Sequence, residues 1–263
     1  MCTKKNTLIA VCTAASSIFF ACSESKQVTT TVPNVQKNLP KFDYAPKILS
    51  KVGSSNITIA LLNPTYGDNS LTFDPFENMR KSMANDFEEL LTAKGFKVRG
   101  PFNQIGEMLY NDKLNSDFIF LVDIDLNFKN INRSVKKNTR TNWGKLFDTN
   151  SNSMEEVYYT YKGEGSLTCN LTLTATSSKF GEKLWKKNIT LAPTPFKYTG
   201  TKQWNNSSVS LYNEILKDNS VYNEIADVLE KQYIALFELV EKQIEVDEMK
   251  TVSTEAHKVD GKN

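Results

Sequence analysis

The sequence predicts an α+β fold, with a single mixed or antiparallel sheet, helices packed on one face and a long C-terminal helix. Two stretches, 74–94 and 220–244, carry apolar residues at every third or fourth position, the spacing of an amphipathic helix. Residues 57–62 and 118–122 are short continuous apolar runs typical of buried strands, and residues 157–175 alternate between apolar and polar. Helices before and after a group of consecutive strands favour α+β over a regularly alternating α/β fold.

The first elements are a strand and a helix with clear ends. The strand covers 57–62 and ends at Asn63-Pro64. The helix is predicted to begin with Asp74 as N-cap, Pro75 in the first turn and Glu77 closing a capping box. Gly95 is expected to end it, because glycine readily adopts the left-handed conformation that follows a helix.

The middle of the chain predicts a central strand between weaker elements. A short strand is expected over 96–99, and a short helix through Ile105, Met108 and Leu109. Residues 116–128 give the strongest strand pattern, since 118–122 are continuously apolar and the residues after them alternate. Residues 129–155 are polar and predict a long loop or a hairpin tip.

The second half predicts antiparallel strands followed by the long helix. In 157–175 one face is apolar, comprising Leu167, Cys169, Leu171 and Leu173. A turn over 177–181 leads to a partner strand, 183–191, with Leu184 or Trp185 pointing inward. Residues 193–219 predict a long irregular excursion, and Ser220 is expected to cap a helix whose apolar face is Ile225, Leu229, Tyr233, Leu236, Val240 and Ile244.

The N-terminus has the pattern of a bacterial lipoprotein signal. Lys4 and Lys5 precede an apolar stretch, 8–21, whose length of about 14 residues is too short for a permanent span of a bilayer. We expect cleavage before Cys22 and acylation there, with fatty acids such as palmitate, which anchors the chain to a membrane. The neutral Ser23 favours the outer membrane. The alternative is an ordinary cleaved signal peptide that leaves a soluble periplasmic protein.

These features divide the chain into four parts. Residues 1–21 are expected to be the signal peptide, 22–50 a flexible tether, 51–245 a single α+β domain, and 246–263 a polar tail that is frayed or disordered. The alternative for the tether is an arm that is partly ordered and packs on the domain.

Composition argues against an enzyme. His257 is the only histidine and lies in the predicted tail, so a Ser-His-Asp or Cys-His arrangement is not expected. Cys169 is interpreted as a small buried hydrophobic residue. Asp123 and Asp125 face the same side of a strand and could hold a cation, but a solvated sheet face is the simpler interpretation. No cofactor, metal or nucleic-acid partner is expected.

A cluster of cations is the candidate binding feature. Between Leu126 and Phe147 the sequence has six cations and no acid: Lys129, Arg133, Lys136, Lys137, Arg140 and Lys145. They could attract an acidic sugar, lipid phosphates or an anionic membrane surface. Trp143, Tyr158, Tyr159 and Tyr161 could stack on a sugar ring. The alternatives are a solvated loop kept soluble by its charges, and aromatic residues that belong to the core.

Several segments resemble the neuraminyllactose-binding hemagglutinin family of lipoproteins, also called flagellar sheath adhesins. They are residues 57–64, 90–98, 145–149 followed by Met154-Glu155, and the ending from 218 to 263. The resemblance implies an outer-membrane or flagellar-sheath lipoprotein that takes part in adhesion and binds sialylated glycans. The family motif Lys-Arg-Thr-Ile-Gln-Lys-Lys aligns with residues 132–138, where Arg133, Lys136 and Lys137 are the implied ligand contacts.

The sequence leaves three functions open and favours the first two over the third. The first is a surface adhesin that binds sialylated glycans. The second is a structural or assembly lipoprotein of the outer membrane, periplasm or flagellar sheath that binds a protein partner. An enzyme is the third.

Overall fold

The computed structural model describes residues 36–68, 71–141, 155–203 and 218–262. The strands are β1 (Thr58–Leu62), β2 (Thr65–Tyr66), β3 (Lys97–Phe102), β4 (Phe118–Thr141), β5 (Glu155–Ser177), β6 (Lys183–Thr190) and β7 (Thr194–Gln203). The α-helices are α1 (Phe76–Ala93), α2 (Tyr110–Leu114), α3 (Asn219–Gln243) and α4 (Val246–Asp260), and a short 3₁₀ helix covers Ile105–Glu107.

The strands form one mixed sheet, which confirms the predicted α+β class. The main order is β3-β1-β4-β5-β6. Strand β1 is parallel to both β3 and β4, whereas β5 is antiparallel to β4, β6 and β7. Helices α1, α3 and α4 supply one face of the main core, and the short segment that contains Met108 covers Ala60, Leu62 and Ile119 on the other face.

The predicted apolar faces form the main core. On β5, Leu167, Cys169, Leu171 and Leu173 are all buried, and so is the predicted face of α3. Aromatic rings join the helices to the sheet: the ring centroid of Phe87 lies 5.0 Å from that of Phe237 and 6.2 Å from that of Phe120. The predicted face of α3 is therefore buried as expected, whereas the aromatic contact through Phe237 involves a residue outside that face.

The predicted start of α1 is wrong in detail. The Asp74 and Glu77 side chains make no capping box, because the carbonyl of Phe73 accepts the first amides and the Glu77 carboxylate pairs with Arg80 at 2.8 Å. The predicted end is confirmed, since Gly95 has φ +91° and donates its amide to the carbonyl of Thr92.

The predicted N-cap of α3, Ser220, is wrong by two residues. The N-cap is Asp218, whose carboxylate accepts the backbone N–H of Ser220 at 3.0 Å and its hydroxyl at 2.6 Å. Ser220 therefore donates to the cap. A carboxylate at this position satisfies a free amide and also favours the helix dipole.

The tether predicted over 22–50 is too long at its C-terminal end. Phe42 and Tyr44 are buried against the helices. The backbone N–H of Tyr44 donates to Asp86 at 2.7 Å, and its hydroxyl donates to Glu241 at 2.6 Å. The alternative of an arm packed on the domain describes residues 36–48, whereas residues 22–35 lie outside the described part of the chain.

The polar tail predicted over 246–263 is instead helix α4. Met249, Val252 and Ala256 are buried at a spacing of three and four residues. Asp260 accepts the hydroxyl of Ser178 at 2.8 Å, which fixes the end of the helix to the β5–β6 turn. Most of the charged side chains of the segment are exposed, whereas Asp260 is buried.

Three irregular segments were predicted with the wrong structure. A long loop or a hairpin tip was expected over 129–155, but the polar residues from 129 continue β4 to Thr141 and pair with the start of β5. The excursion predicted over 193–219 contains β7, and the helix predicted through 105–109 is a 3₁₀ turn followed by α2. Residues 142–154 and 204–217 lie outside the described part of the chain.

Candidate functional site

The cationic cluster lies on a three-stranded extension of the sheet, which we call the β-arm. It consists of residues 129–141 of β4, residues 155–167 of β5, and β7. Strand β5 lies in the middle, with β4 on one side and β7 on the other. The sequence predicted a basic loop, but these residues have a fixed strand register.

That register separates the three implied ligand contacts. Arg133 lies opposite Gly163 and Lys137 opposite Tyr159, on the face of the sheet that carries the core residues of β5. We call this the helix-side face. Lys136 lies opposite Thr160 and points to the other face, because successive strand residues alternate. The interpretation of all three as one contact surface is therefore corrected, although all three side chains are exposed.

On the helix-side face the residues form rows across three strands. One row is Lys137, Tyr159 and Lys202, and four residues further down is the row Arg133, Gly163 and Tyr198. Adjacent strands lie about 4.8 Å apart, and these two rows are separated by roughly 13 Å along the strands. Three cations and a half-buried tyrosine are thus gathered on one surface.

Aromatic side chains lie directly over glycines of this face. A Cβ added at Gly163 would approach the Tyr198 side chain to less than 3.0 Å, and the same holds for Gly200 and the Tyr161 side chain. Tyr161 and Tyr198 are both buried, with ring centroids 6.4 Å apart. Tyr161 is therefore a packing residue, whereas Tyr159 remains half-exposed; Trp143 lies outside the described residues.

The electrostatics of the β-arm are strongly positive on β4. Its residues 129–141 contain five cations and no acid. On the face opposite the helices, Lys197 pairs with Glu164 at 2.7 Å, and this contact holds the pKa of that carboxyl below its usual range.

A polar pocket of about 370 Å³ lies at the base of the β-arm. It is lined by Lys197, Tyr198, Thr199, Ser220, Asn223 and Glu224. The first turn of α3 therefore borders β7, and the β-arm extends beyond this point.

The other candidates from the sequence do not form a reactive site in the described part of the chain. Asp123 accepts the Thr65 hydroxyl at 2.8 Å, and Asp125 accepts from the Asn170 amide at 3.2 Å, both on the exposed sheet face. The described residues hold no group of three or more side chains that could bind a metal ion. Burial raises the pKa of the Cys169 thiol to about 12.

Two features were missed by sequence reasoning. Lys202 and Tyr198 complete the rows of the β-arm, and the alternation of 196, 198, 200 and 202 within the predicted excursion was the available signal. His257 was placed in a tail, but its Nε2 lies 2.5 Å from the Asp117 carboxylate, which also accepts the N–H of Thr58. This histidine joins α4 to the sheet.

Comparison with known proteins identifies the fold. No protein-family model and no curated protein matches this sequence. None of the helices in the described ranges is long and apolar enough to cross a membrane. This chain aligns with the structure of a lipoprotein from Neisseria meningitidis at 13% identity, over 65% of this chain and 99% of that chain, with a TM-score of 0.26. It also aligns with a protein from Xanthomonas campestris at 10% identity, over 76% of this chain and 96% of that chain, with a TM-score of 0.29.

The neuraminyllactose-binding hemagglutinin homolog from Helicobacter pylori gives a higher TM-score, 0.54. The alignment has 14% identity and covers 84% of this chain and 100% of that chain. At this identity the comparison shows that the two chains share a fold.

Proposed function

We propose that this chain is a lipid-anchored envelope lipoprotein of the adhesin type that binds sialylated glycans through the helix-side face of its β-arm. The observation that carries the proposal is that Lys137 and Lys202 flank the half-exposed ring of Tyr159, with Arg133 on the same face about 13 Å further along β4. The fold shared with a hemagglutinin homolog supports it. A binding function is proposed here, and an enzymatic one is not.

The anchor belongs to the same proposal. Acylation of Cys22 would hold the protein in the outer membrane, or in a flagellar sheath continuous with it. More than one acyl chain is needed for firm attachment, because a single chain binds a bilayer only marginally. Mass spectrometry of the mature N-terminus tests this part directly.

The chemistry of the rows suits an acidic sugar. The carboxylate of a sialic acid accepts charge-assisted hydrogen bonds from guanidinium and ammonium groups. The apolar face of a sugar ring packs on an aromatic side chain such as Tyr159. Since Lys137 and Lys202 flank this tyrosine at a distance of about one strand spacing each, about 4.8 Å, a ring on Tyr159 has a cation on either side.

Binding of sialyllactose and of plain lactose to the folded protein, by calorimetry at low and physiological salt, tests the glycan proposal. We expect saturable binding of sialyllactose alone, and about tenfold weaker binding after Lys137→Ala, because one charge-assisted contact is worth about 1.5 kcal/mol or more. Lys136→Ala is the matched control, since it removes the same charge from the next residue on the opposite face. Absence of sialyllactose binding to folded protein would remove the glycan proposal.

An assembly function with a protein partner is the second candidate, and the segment around α2 favours it. Leu109 is 71% exposed, Tyr110 is 76% exposed and Leu114 is 51% exposed, which places three large apolar side chains on one short segment. Clustered exposed apolar residues commonly mark protein contacts. In-cell crosslinking from Tyr110 to an envelope protein, together with no glycan binding, would put this function first.

A further inference from the structure

We propose that the outer edge of the β-arm, along residues 133–139 of β4, takes up an extended acidic segment of a partner protein as an added antiparallel strand. In strand addition of this kind, main-chain hydrogen bonds supply affinity and side chains supply specificity. The site is the edge of β4 and the ligand is a peptide, so this binding does not depend on glycan binding at the helix-side face.

Strand β4 has neighbours on both sides only in its first part. Residues 118–120 pair with β1 and residues 123–124 with β2 on one side, and β5 pairs along the other side. Within the described ranges, no strand pairs with the β1 side of β4 from Asp125 to Thr141. Such an edge presents a row of backbone N–H and C=O groups with which another chain can pair.

A β-bulge decides which residues of β4 direct their backbone toward this edge. Before the bulge they are even-numbered, since the carbonyl of Ile124 accepts the N–H of Gly67, just after β2, at 3.0 Å. The pairing with β5 then shifts by one residue between Asn130 and Asn132. Beyond this shift, the alternation of antiparallel pairs makes the outward residues odd-numbered. They are Arg133, Val135, Lys137 and Thr139.

Two hydrogen bonds agree with this assignment. The carbonyl of Cys169 accepts the N–H of Leu191, just after β6, at 3.2 Å, so odd-numbered residues of β5 point away from β4. Even-numbered residues of β5 therefore point toward β4, and the carbonyl of Lys136 accepts the hydroxyl of Thr160, its partner on β5, at 3.4 Å. A proline at an odd position of β4 would thus remove an N–H from the outer edge and leave the pairing with β5 intact.

The charge of the edge strand selects an acidic partner. Residues 129–141 contain five cations and no acid, and Lys136 and Lys137 are exposed on opposite faces. Like charges directly opposite each other on neighbouring strands are destabilising, whereas opposite charges are stabilising. A second copy of β4 on this edge would place cations against cations. Lysines on an edge discourage indiscriminate pairing, and an acidic strand is the one kind that they attract.

The edge at the other side of the sheet is poorly suited to an added strand. Strand β3 contains Pro101, which has no N–H to donate, and its register with β1 is irregular between Ala60 and Leu62. Residues 133–139 of β4 contain no proline and keep a regular register with β5. The β4 edge is therefore the better template of the two.

The register predicts the sequence of the ligand. In an antiparallel strand of seven residues placed opposite residues 139 to 133, the third position faces Lys137, the fourth faces Lys136 and the seventh faces Arg133. Acidic residues at these positions each meet one cation. The amides at the third, fifth and seventh positions point toward β4, because they lie opposite residues whose backbone is directed outward.

Fluorescence anisotropy of a labelled seven-residue peptide with the folded protein tests the proposal. The peptide has glutamate at the third, fourth and seventh positions and valine or threonine elsewhere. Three matched peptides carry an N-methyl group on the fifth amide, an N-methyl group on the sixth amide, or glutamine in place of each glutamate. We expect saturable binding of the parent, at least tenfold weaker binding of the fifth-amide and glutamine peptides, and less than twofold change for the sixth-amide peptide.

A pair of protein variants tests the same edge from the other side. Val135→Pro and Val135→Ala both remove the valine side chain, but only the proline removes an outward N–H. We expect the parent peptide to bind Val135→Pro at least tenfold more weakly than Val135→Ala, with native circular dichroism for both. The methylated peptides, which leave the protein unchanged, decide the matter if Val135→Pro does not fold.

Several results would overturn the proposal. They are no binding of the parent peptide, equal binding of the two methylated peptides, which would indicate charge attraction alone, and a dimer of the protein that Val135→Pro abolishes, which would put a second copy on the edge. Sialyllactose binding fails separately. Peptide binding without sialyllactose binding removes only the glycan proposal, and the reverse result removes only the added strand.

Discussion

Replacing Gly163 by alanine tests the packing that holds the β-arm in shape. The new Cβ would lie less than 3.0 Å from three side-chain atoms of Tyr198, which is only 5% exposed and has little room to move. Overpacking of this kind costs about 1 to 3 kcal/mol. For a domain of this size, that corresponds to a melting temperature lowered by roughly 2 to 12 °C.

Thermal unfolding followed by circular dichroism measures the effect, with two controls. Gly106→Ala should leave the melting temperature nearly unchanged, because a Cβ at Gly106 meets no atom within 4 Å. In a Tyr198→Ala background, Gly163→Ala should cost much less, since the clashing ring is gone. A Gly163→Ala protein as stable as the wild type, or an equal cost in both backgrounds, would refute the packing argument.

Three further predictions concern the core and its borders. Burial raises the pKa of Glu241, but the hydrogen bonds from the Tyr44 hydroxyl and two backbone amides outweigh it and lower the pKa overall. The stability that this carboxylate adds is therefore present above its unfolded pKa and lost as pH falls through its folded pKa. Below pH 5, the melting temperature of Glu241→Gln should depend less on pH than that of the wild type. Cys169, whose thiol has a pKa raised to about 12, should not react with a thiol reagent at pH 7 until the protein unfolds, measured in a chain whose three N-terminal cysteines are serine. Trp185→Phe removes the indole N–H bond to Glu248 of 2.8 Å, and urea unfolding should show a loss of roughly 1 to 2 kcal/mol.

The sequence predicted those elements that bury a continuous apolar face. Strand β1 is apolar from Ile59 onward, the first part of β4 is apolar throughout, and α1 and α3 keep an apolar stripe, so hydrophobic pattern alone located them. The capping residues were less predictable. Asp74 and Glu77 fit a capping box by spacing, but Glu77 instead pairs with Arg80, one turn further along.

The β-arm escaped prediction for a physical reason. The side chains described over 132–139 of β4 are mostly exposed on both faces, so apolar and polar residues do not alternate there. Their strand conformation depends on pairing with β5, a long-range contact that no local pattern shows. Helix α4 was missed for a different reason: its apolar residues have helical spacing, but they are few within a charged segment.

The motif shared with the hemagglutinin family shows why spacing and backbone conformation must be considered together. Arg133, Lys136 and Lys137 are three and four residues apart, which would place them on one face of a helix. On β4 the same spacing divides them between two faces. A short basic motif therefore transfers a binding role only when the backbone conformation transfers with it.

The edge position of β4 leaves one way for all three cations to act together. In the described part of the chain, β4 has no strand paired to its outer edge from Asp125 to Thr141. A ligand that straddles this edge would contact Lys136 on one face and Lys137 on the other, whereas a ligand bound flat on the helix-side face would contact Lys137 but not Lys136. Equal losses of affinity in Lys136→Ala and Lys137→Ala, with no further dependence on Tyr159, would indicate the edge. A tenfold loss confined to Lys137→Ala and Tyr159→Ala would indicate the face.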